Sequence, residues 1–119
     1  MTSSEFPPGI GIEPTFLVEA QYTPQAAERR PSVRSEHLAR MAQLRRDGTI
    51  IEAGAYSDAM TSSILLVRAD DAAAALAIAR ADVYVAAGVW GDISARPFGR
   101  VITTDQAARS NTEPTAGSG

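Results

Sequence analysis

The segment SSILLVR, residues 62–68, has apolar side chains at all four of its central positions, Ile64 to Val67. Successive side chains of a β-strand point to opposite faces of the sheet. A strand without polar alternation is therefore covered on both faces. One layer of helices covers only one face of a sheet. The segment thus predicts a buried strand that packs on helices on one side and on a second subunit on the other.

A strand and a helix precede this segment along the chain. Apolar and mostly polar residues alternate from Thr15 to Tyr22, which predicts a first strand with one apolar face. Residues 33–46 follow, and their apolar residues Leu38, Met41 and Leu44 recur at intervals of three. This spacing is typical of one buried helix stripe. We therefore expect a helix over residues 33–46 that packs on the sheet.

The other elements complete a β-α-β-β-α-β order. Residues Ile50–Ala55 predict a second strand, and Ala72–Ala81 predict an alanine-rich helix that begins at Asp70-Asp71. A last strand is expected from Trp90 to Phe98, with a possible extension to Ile102. This order is that of a ferredoxin-like α+β subunit. Together with the fully apolar third strand, it predicts a homodimer whose two sheets pack face to face.

The two ends of the chain differ in composition from the centre. Residues 1–14 and 104–119 are rich in Pro, Gly and Ser and show no apolar period, so we expect disordered tails on either side of one domain at 15–103. The first residues lack the basic start and apolar core of a signal peptide. No segment approaches the roughly 20 apolar residues of a membrane span. These features favour a cytoplasmic protein without membrane attachment.

Composition also limits the chemistry. The formal charge is −3, with eleven arginines and no lysine, which argues against a nucleic-acid partner. The absence of cysteine excludes thiol catalysis and cysteine-bound zinc. One histidine with scattered carboxylates offers no metal-ligand spacing, and no dinucleotide-binding loop follows a predicted strand. We therefore expect no metal and no bound cofactor, and a small molecule as the ligand.

The only histidine, His37, borders the apolar stripe of its helix, so we expect it to face inward. Asp82 follows the alanine-rich helix, forty-five positions later. A carboxylate that holds one imidazole nitrogen fixes the tautomer and leaves the other nitrogen for a ligand. Such a pair can remove a proton from an activated carbon or a phenol, and this is worth about 10²–10⁴-fold in rate. The alternative is a helix histidine and a helix-end aspartate with structural roles only.

Three neighbours of this pair are candidates for substrate binding. Arg34 lies three residues before His37 on the same helix, where it can hold an anionic group or form a surface ion pair. Tyr84 can line a pocket and donate its hydroxyl, or it can serve packing alone. Tyr56, on the loop after the second strand, can reach the mouth of a pocket or remain a solvated loop residue.

Two blocks of this sequence resemble the YciI-like family, also called the YCII-related domain: VRSEHLARM at residues 33–41 and Asp82-Val83-Tyr84 before the last strand. The resemblance runs from about Phe16 to Val101. It implies a dimeric α+β barrel of ferredoxin-like subunits and an active site built on a histidine and an aspartate, which fall at His37 and Asp82. One member of that family resembles a cofactor-free dehydrochlorinase of a chlorinated hydroxyquinol.

The chain departs from the family pattern near the expected pocket. Val83 replaces the usual proline between Asp82 and the tyrosine, and Gly54-Ala55 stands where Gly-Pro is usual. The first hypothesis is a cofactor-independent lyase, isomerase or dehydrohalogenase-like enzyme acting on an acidic or aromatic metabolite. The second is a non-catalytic small-molecule binding or accessory protein that uses the same pocket. A purely structural partner subunit is a third interpretation.

Overall fold

The computed structural model describes residues 6–103, which form an α+β fold with a four-stranded antiparallel sheet. The sheet order is β2-β3-β1-β4, and β3 pairs antiparallel with both β1 and β2. Residues 1–5 and 104–119 lie outside the described residues, so the tails expected there stay predictions. The elements within 6–103 are, in chain order, β1 (Ile10–Tyr22), α1 (Ala26–Arg29), α2 (Arg34–Arg46), β2 (Ile50–Ala55), β3 (Ser62–Val67), α3 (Ala72–Arg80), α4 (Val83–Ala86) and β4 (Trp90–Thr103).

Strand β3 lies between two neighbouring strands in the sheet. Leu65 pairs with Val18 of β1 and with Ala53 of β2, and Val67 pairs with Ile50. Leu65, Val18, Val67 and Ile50 are each no more than 1% exposed. This face of the sheet forms the hydrophobic core together with residues from the helices.

The opposite face of the sheet is only partly covered. Leu17, Ile64 and Leu66 alternate with the core residues of β1 and β3, and all three remain half-exposed in the single chain. Glu19 lies beside them, and its carboxylate accepts a hydrogen bond from the Ser62 hydroxyl at 2.9 Å. The face is therefore apolar at Leu17, Ile64 and Leu66 and polar around Glu19 and Ser62, whose side chains are hydrogen-bonded to each other.

The described residues fall into two compact units. Residues 15–98 contain the helices and the hydrophobic core. The second unit consists of residues 6–14 and 99–103, which include the outer ends of β1 and β4. Within it, the Arg100 guanidinium donates to the Glu13 carboxylate at 2.8 Å. Gly99 lies against Ile12, since a Cβ added at Gly99 would be 2.9 Å from the Ile12 side chain.

The start of β1 corrects one sequence prediction. Residues 10–14 were expected to be part of the N-terminal tail, but they belong to a strand that begins at Ile10. Their glycine and proline content hides a short alternation of Ile10 and Ile12 with Gly11 and Glu13. The prediction therefore missed five residues of strand.

The buried stripe of α2 also differs from the predicted one. Leu38 is 51% exposed, whereas His37 and Met41 are each 8% exposed and Leu44 is half-buried. A helix turns by about 100° per residue, so positions 37, 41 and 44 share a face that position 38 does not. The inward position expected of His37 is thus confirmed. The prediction that Leu38 belongs to the buried stripe is wrong.

Helices α3 and α4 each begin at an aspartate whose side chain caps the helix. The Asp71 carboxylate accepts from the Ala74 N–H at 2.8 Å, and the Asp82 carboxylate accepts from the Tyr84 N–H at 3.0 Å. Such caps satisfy amide donors that have no partner in the first turn. Among the described residues, no helix has the length and apolar character needed to cross a membrane.

Candidate active site

The side chain of His37 makes a buried contact with the carboxylate of Asp82. Its Nδ1 atom lies 2.7 Å from Oδ2 of Asp82. The Asp82 side chain has no exposed surface, and that of His37 is 10% exposed. Because an ionised carboxylate only accepts hydrogen bonds, the ring must donate from Nδ1. The Nε2 atom then carries the free lone pair of the neutral ring.

Three donors hold the Asp82 carboxylate. Oδ2 accepts from His37 and from the Tyr84 N–H, and Oδ1 accepts from Arg40 Nη1 at 3.1 Å. The second nitrogen of Arg40 donates to the Ile78 carbonyl at 2.9 Å, so the guanidinium is fixed to both α3 and the carboxylate. The position of Asp82 is therefore set by its own cap, by α2 and by α3.

The donors around Asp82 determine its charge state. Burial alone would raise the pKa of Asp82, but the hydrogen bonds from His37, the Tyr84 N–H and Arg40 outweigh it, and the pKa lies below its usual value. The carboxylate is consequently ionised near neutral pH. An ionised Asp82 is what keeps the proton of the neutral His37 ring on Nδ1.

Aromatic rings fix the plane of the imidazole. The Tyr84 ring stacks on His37 with centroids 3.7 Å apart and an angle of 9° between the planes. Trp90 meets His37 edge-on at 5.2 Å and Tyr84 edge-on at 5.4 Å. Burial raises the pKa of Tyr84, and the nearby Tyr22 hydroxyl adds to that rise. The Tyr84 hydroxyl therefore stays protonated at neutral pH.

The pair borders a pocket of about 620 Å³ within residues 15–98. A volume of this size suits a small organic molecule. The wall nearest the core is aromatic and polar, and the mouth carries exposed apolar side chains. The lining residues are Tyr22, Arg30, Arg34, His37, Leu38, Met41, Ala53–Met60, Ser63, Leu65, Tyr84 and Trp90.

The predicted site residues come together at this pocket. His37, Arg34, Tyr84 and Tyr56 all line it, and Asp82 lies behind His37. Tyr84 is 2% exposed and Tyr56 is 54% exposed, so the first belongs to the wall and the second to the mouth. Arg34 is exposed, and it makes no ion pair with a carboxylate of residues 6–103, so the surface ion pair considered for it is absent there.

Sequence reasoning missed other residues of the site. Arg40 lies three positions after His37 on the same helix, and this spacing was a usable signal for its contact with Asp82. Tyr22 and Ser63 had no such signal, because their contact joins residues of β1 and β3 that are 41 positions apart. Within the described residues, no three side chains of the metal-binding types lie close enough together to hold a metal ion.

The family model of the YCII-related domain matches residues 15–99 of this chain. Protein YciI of Escherichia coli O6:H1 is 35% identical over 96 residues, which cover 73% of this chain and 98% of that protein. Protein YciI of Shigella flexneri matches to the same extent. An uncharacterised protein of Haemophilus influenzae is 34% identical over 96 residues, with the same shares of the two chains covered.

One solved structure has a similar fold. It is the 5-chloro-2-hydroxyhydroquinone dehydrochlorinase TftG from Burkholderia phenoliruptrix AC1100 in complex with 2,5-dihydroxybenzoquinone. The TM-score is 0.60 at 20% sequence identity, and the match covers 71% of this chain and 92% of that chain. At this identity the likeness concerns the fold alone.

Proposed function

This chain belongs to the YCII-related domain family, and we propose that it is a cofactor-independent small-molecule enzyme in which His37 and Asp82 perform general acid–base catalysis. The observation that supports this most is the 2.7 Å contact between His37 Nδ1 and the Asp82 carboxylate beside a pocket. A lyase, isomerase or dehydrohalogenase reaction fits such a pair, since each begins when a base removes a proton from the substrate. An isomerase returns that proton to another atom, whereas an elimination expels a leaving group such as chloride.

The proposed role of His37 follows from its fixed tautomer. With Nδ1–H donated to Asp82, the Nε2 lone pair accepts a proton from the substrate, and the resulting imidazolium is stabilised by the carboxylate. Within residues 6–103, Nε2 has no hydrogen-bond partner that would compete with a ligand. Arg40 is a positioning residue, because it holds Asp82 and does not line the pocket.

The pocket supports an acidic or aromatic substrate. Leu38, Tyr56 and Met60 are 51%, 54% and 39% exposed at its mouth, where they offer apolar surface to a ring. Arg34 supplies a positive charge at the same pocket. An aromatic molecule with an ionisable hydroxyl or carboxyl group satisfies both features, which is the reason to prefer this class over a neutral aliphatic one.

The structural neighbour suggests the first assay. TftG is a dehydrochlorinase of 5-chloro-2-hydroxyhydroquinone, so we propose to incubate this protein with the same compound and to measure chloride release. We expect catalysed loss of a proton and a chloride ion. The assay is then repeated with further halogenated phenols. If each compound binds and is recovered unchanged, the second function, a binding or accessory protein, is favoured.

We also propose that the subunit is ferredoxin-like and that two copies form an α+β barrel through the half-exposed sheet face of Leu17, Ile64 and Leu66. Sedimentation should give a particle of twice the 12.5 kDa of one chain. Leu66→Arg should shift it to the monomer, because a charge cannot be buried there unpaired. Ala77→Arg, on the exposed side of α3, should stay dimeric. A monomeric wild type would contradict this assembly.

A cytoplasmic location remains a prediction.

A further inference from the structure

A second polar cluster lines the same pocket and takes no part in the contact between His37 and Asp82. The indole Nε1 of Trp90 donates to the Ser63 hydroxyl oxygen at 3.2 Å, and the Ser63 hydroxyl donates to the Tyr22 phenol oxygen at 3.0 Å. Trp90 and Ser63 are 2% and 3% exposed, and Tyr22 is half-buried. Two hydrogen bonds thus connect the core to the pocket wall and end at Tyr22.

The first hydrogen bond of this chain has a single possible direction. An indole nitrogen can only donate, so the Ser63 oxygen accepts from Trp90. The Ser63 hydroxyl in turn donates a hydrogen bond to the Tyr22 phenol oxygen, and Tyr22 keeps its own proton for a further acceptor. Within residues 6–103, that Tyr22 proton has no acceptor. A hydroxyl that already accepts a hydrogen bond is a stronger donor, because bonds in a chain polarise one another.

Positive charge lies over the Tyr22 ring and elsewhere in the pocket lining. The guanidinium carbon of Arg30 is 5.8 Å from the centre of the Tyr22 ring, and Arg30 and Arg34 both line the pocket. In the described part of the chain, neither arginine forms an ion pair with a carboxylate. The lining residue with a carboxylate is Asp58, which lies on the exposed loop after β2. A hydroxyl donor that shares its pocket with two guanidinium groups, neither of them paired with a carboxylate of residues 6–103, favours an anionic oxygen.

We propose that Tyr22, together with Arg30 and Arg34, forms an oxyanion subsite that binds the ionised phenol or enol oxygen of the substrate. This inference rests on the proposed function, and it specifies the substrate as a molecule with a phenol or enol oxygen. The substrate proton passes to His37 Nε2, and the electron pair left behind is delocalised onto the oxygen at the subsite. Tyr22 donates a hydrogen bond to that oxygen and keeps its proton. Donors that meet charge as it develops are effective in a site from which water is excluded.

The probe for this subsite is 4-nitrophenol, whose phenolate form is yellow and whose neutral form is not. With the protein in excess, absorbance gives the ratio of phenolate to phenol in the bound state at a fixed pH. We expect the wild type to favour the phenolate at least about tenfold over free solution, which equals one pKa unit of the probe. Tyr22→Phe and Arg30→Gln should each remove most of this preference, since a hydrogen bond to a charged group is worth about tenfold or more.

Two controls separate the subsite from pocket shape. Arg29→Gln makes the same charge change one position away, at a residue that does not line the pocket, and should leave the preference within about twofold of the wild type. The uncharged analogue 4-nitroanisole should bind equally to the wild type and to Tyr22→Phe. A phenolate preference that is unchanged in Tyr22→Phe would overturn the proposal, and so would a wild type without any preference.

The experiments distinguish failure of the oxyanion subsite from failure of the proposed enzyme function. If the phenolate preference depends on Tyr22 and Arg30 as described while the protein turns over no halogenated phenol, the subsite stands and the enzyme proposal fails. If turnover depends on His37 while Tyr22→Phe leaves the bound phenolate ratio unchanged, the enzyme proposal stands and the subsite is overturned.

Discussion

His37→Ala should lower turnover by about 10²–10⁴-fold, the range typical of losing one general acid–base group. The variant should still fold, because Asp82 keeps its hydrogen bonds from the Tyr84 N–H and from Arg40. Substrate affinity should change little, since the walls of the pocket remain. The measurement is kcat and the dissociation constant of the substrate, together with a thermal unfolding curve.

Added imidazole provides a second readout for His37→Ala. The substitution leaves a space between the Tyr84 ring and the edge of Trp90 that matches the ring removed. Imidazole in solution should therefore restore part of the lost rate, which a purely structural histidine would not allow. Glu36→Ala changes the exposed neighbouring residue on the same helix and serves as the control with unchanged turnover. Full activity in His37→Ala would exclude the proposed chemistry.

Asp82→Ala should destabilise the protein by about 3 kcal/mol, because it leaves the buried donors of His37 and the Tyr84 amide, and the half-buried guanidinium of Arg40, without their acceptor. Asp71→Ala is the matched control. It removes the aspartate that caps α3 at an exposed position, and it should cost about 1 kcal/mol. Urea unfolding of the three proteins measures the difference, and equal losses in both variants would mean that Asp82 acts only as a helix cap.

The same variants test the tautomer of His37. In the wild type the neutral ring should carry its proton on Nδ1, which nitrogen chemical shifts report directly. In Asp82→Ala the acceptor is gone and the proton should move largely to Nε2. Asp82→Asn retains an oxygen that can accept from Nδ1 and also caps helices well, so it should keep the wild-type tautomer. A wild-type ring protonated on Nε2 would contradict the proposed role of His37 as a base through that atom.

Asp82 also gives the stability a defined pH dependence. Its folded pKa lies below the unfolded value of about 3.9. The carboxylate therefore contributes its full stabilisation above that unfolded value, and the contribution is lost as the pH falls through the lower folded pKa. The stability difference between wild type and Asp82→Asn should accordingly shrink below about pH 4.

The strands, the long helices and the inward position of His37 were predictable because each depends on local pattern. Period-two and helical spacing set the elements, and Asp71 marked the start of α3. The same rules failed for Ile10–Pro14, where glycine and proline obscured a short alternation, and for Leu38, which adjoins the buried stripe without belonging to it. The first error concerns the boundary of a strand and the second concerns which face of a helix is buried, and neither changes the type of element.

The sequence by itself determined the order of elements, the apolar strand β3 and the two blocks that carry His37 and Asp82. Only the tertiary structure decided which side chains surround the imidazole. Arg40 reaches Asp82 across 42 positions, and Ser63 joins Trp90 to Tyr22 across 27 and 41 positions. Periodicity describes neighbours along one helix or strand, whereas these contacts depend on strand register and on helix packing. The physical reason is that a site built from long-range contacts exists only once the core has brought its parts together.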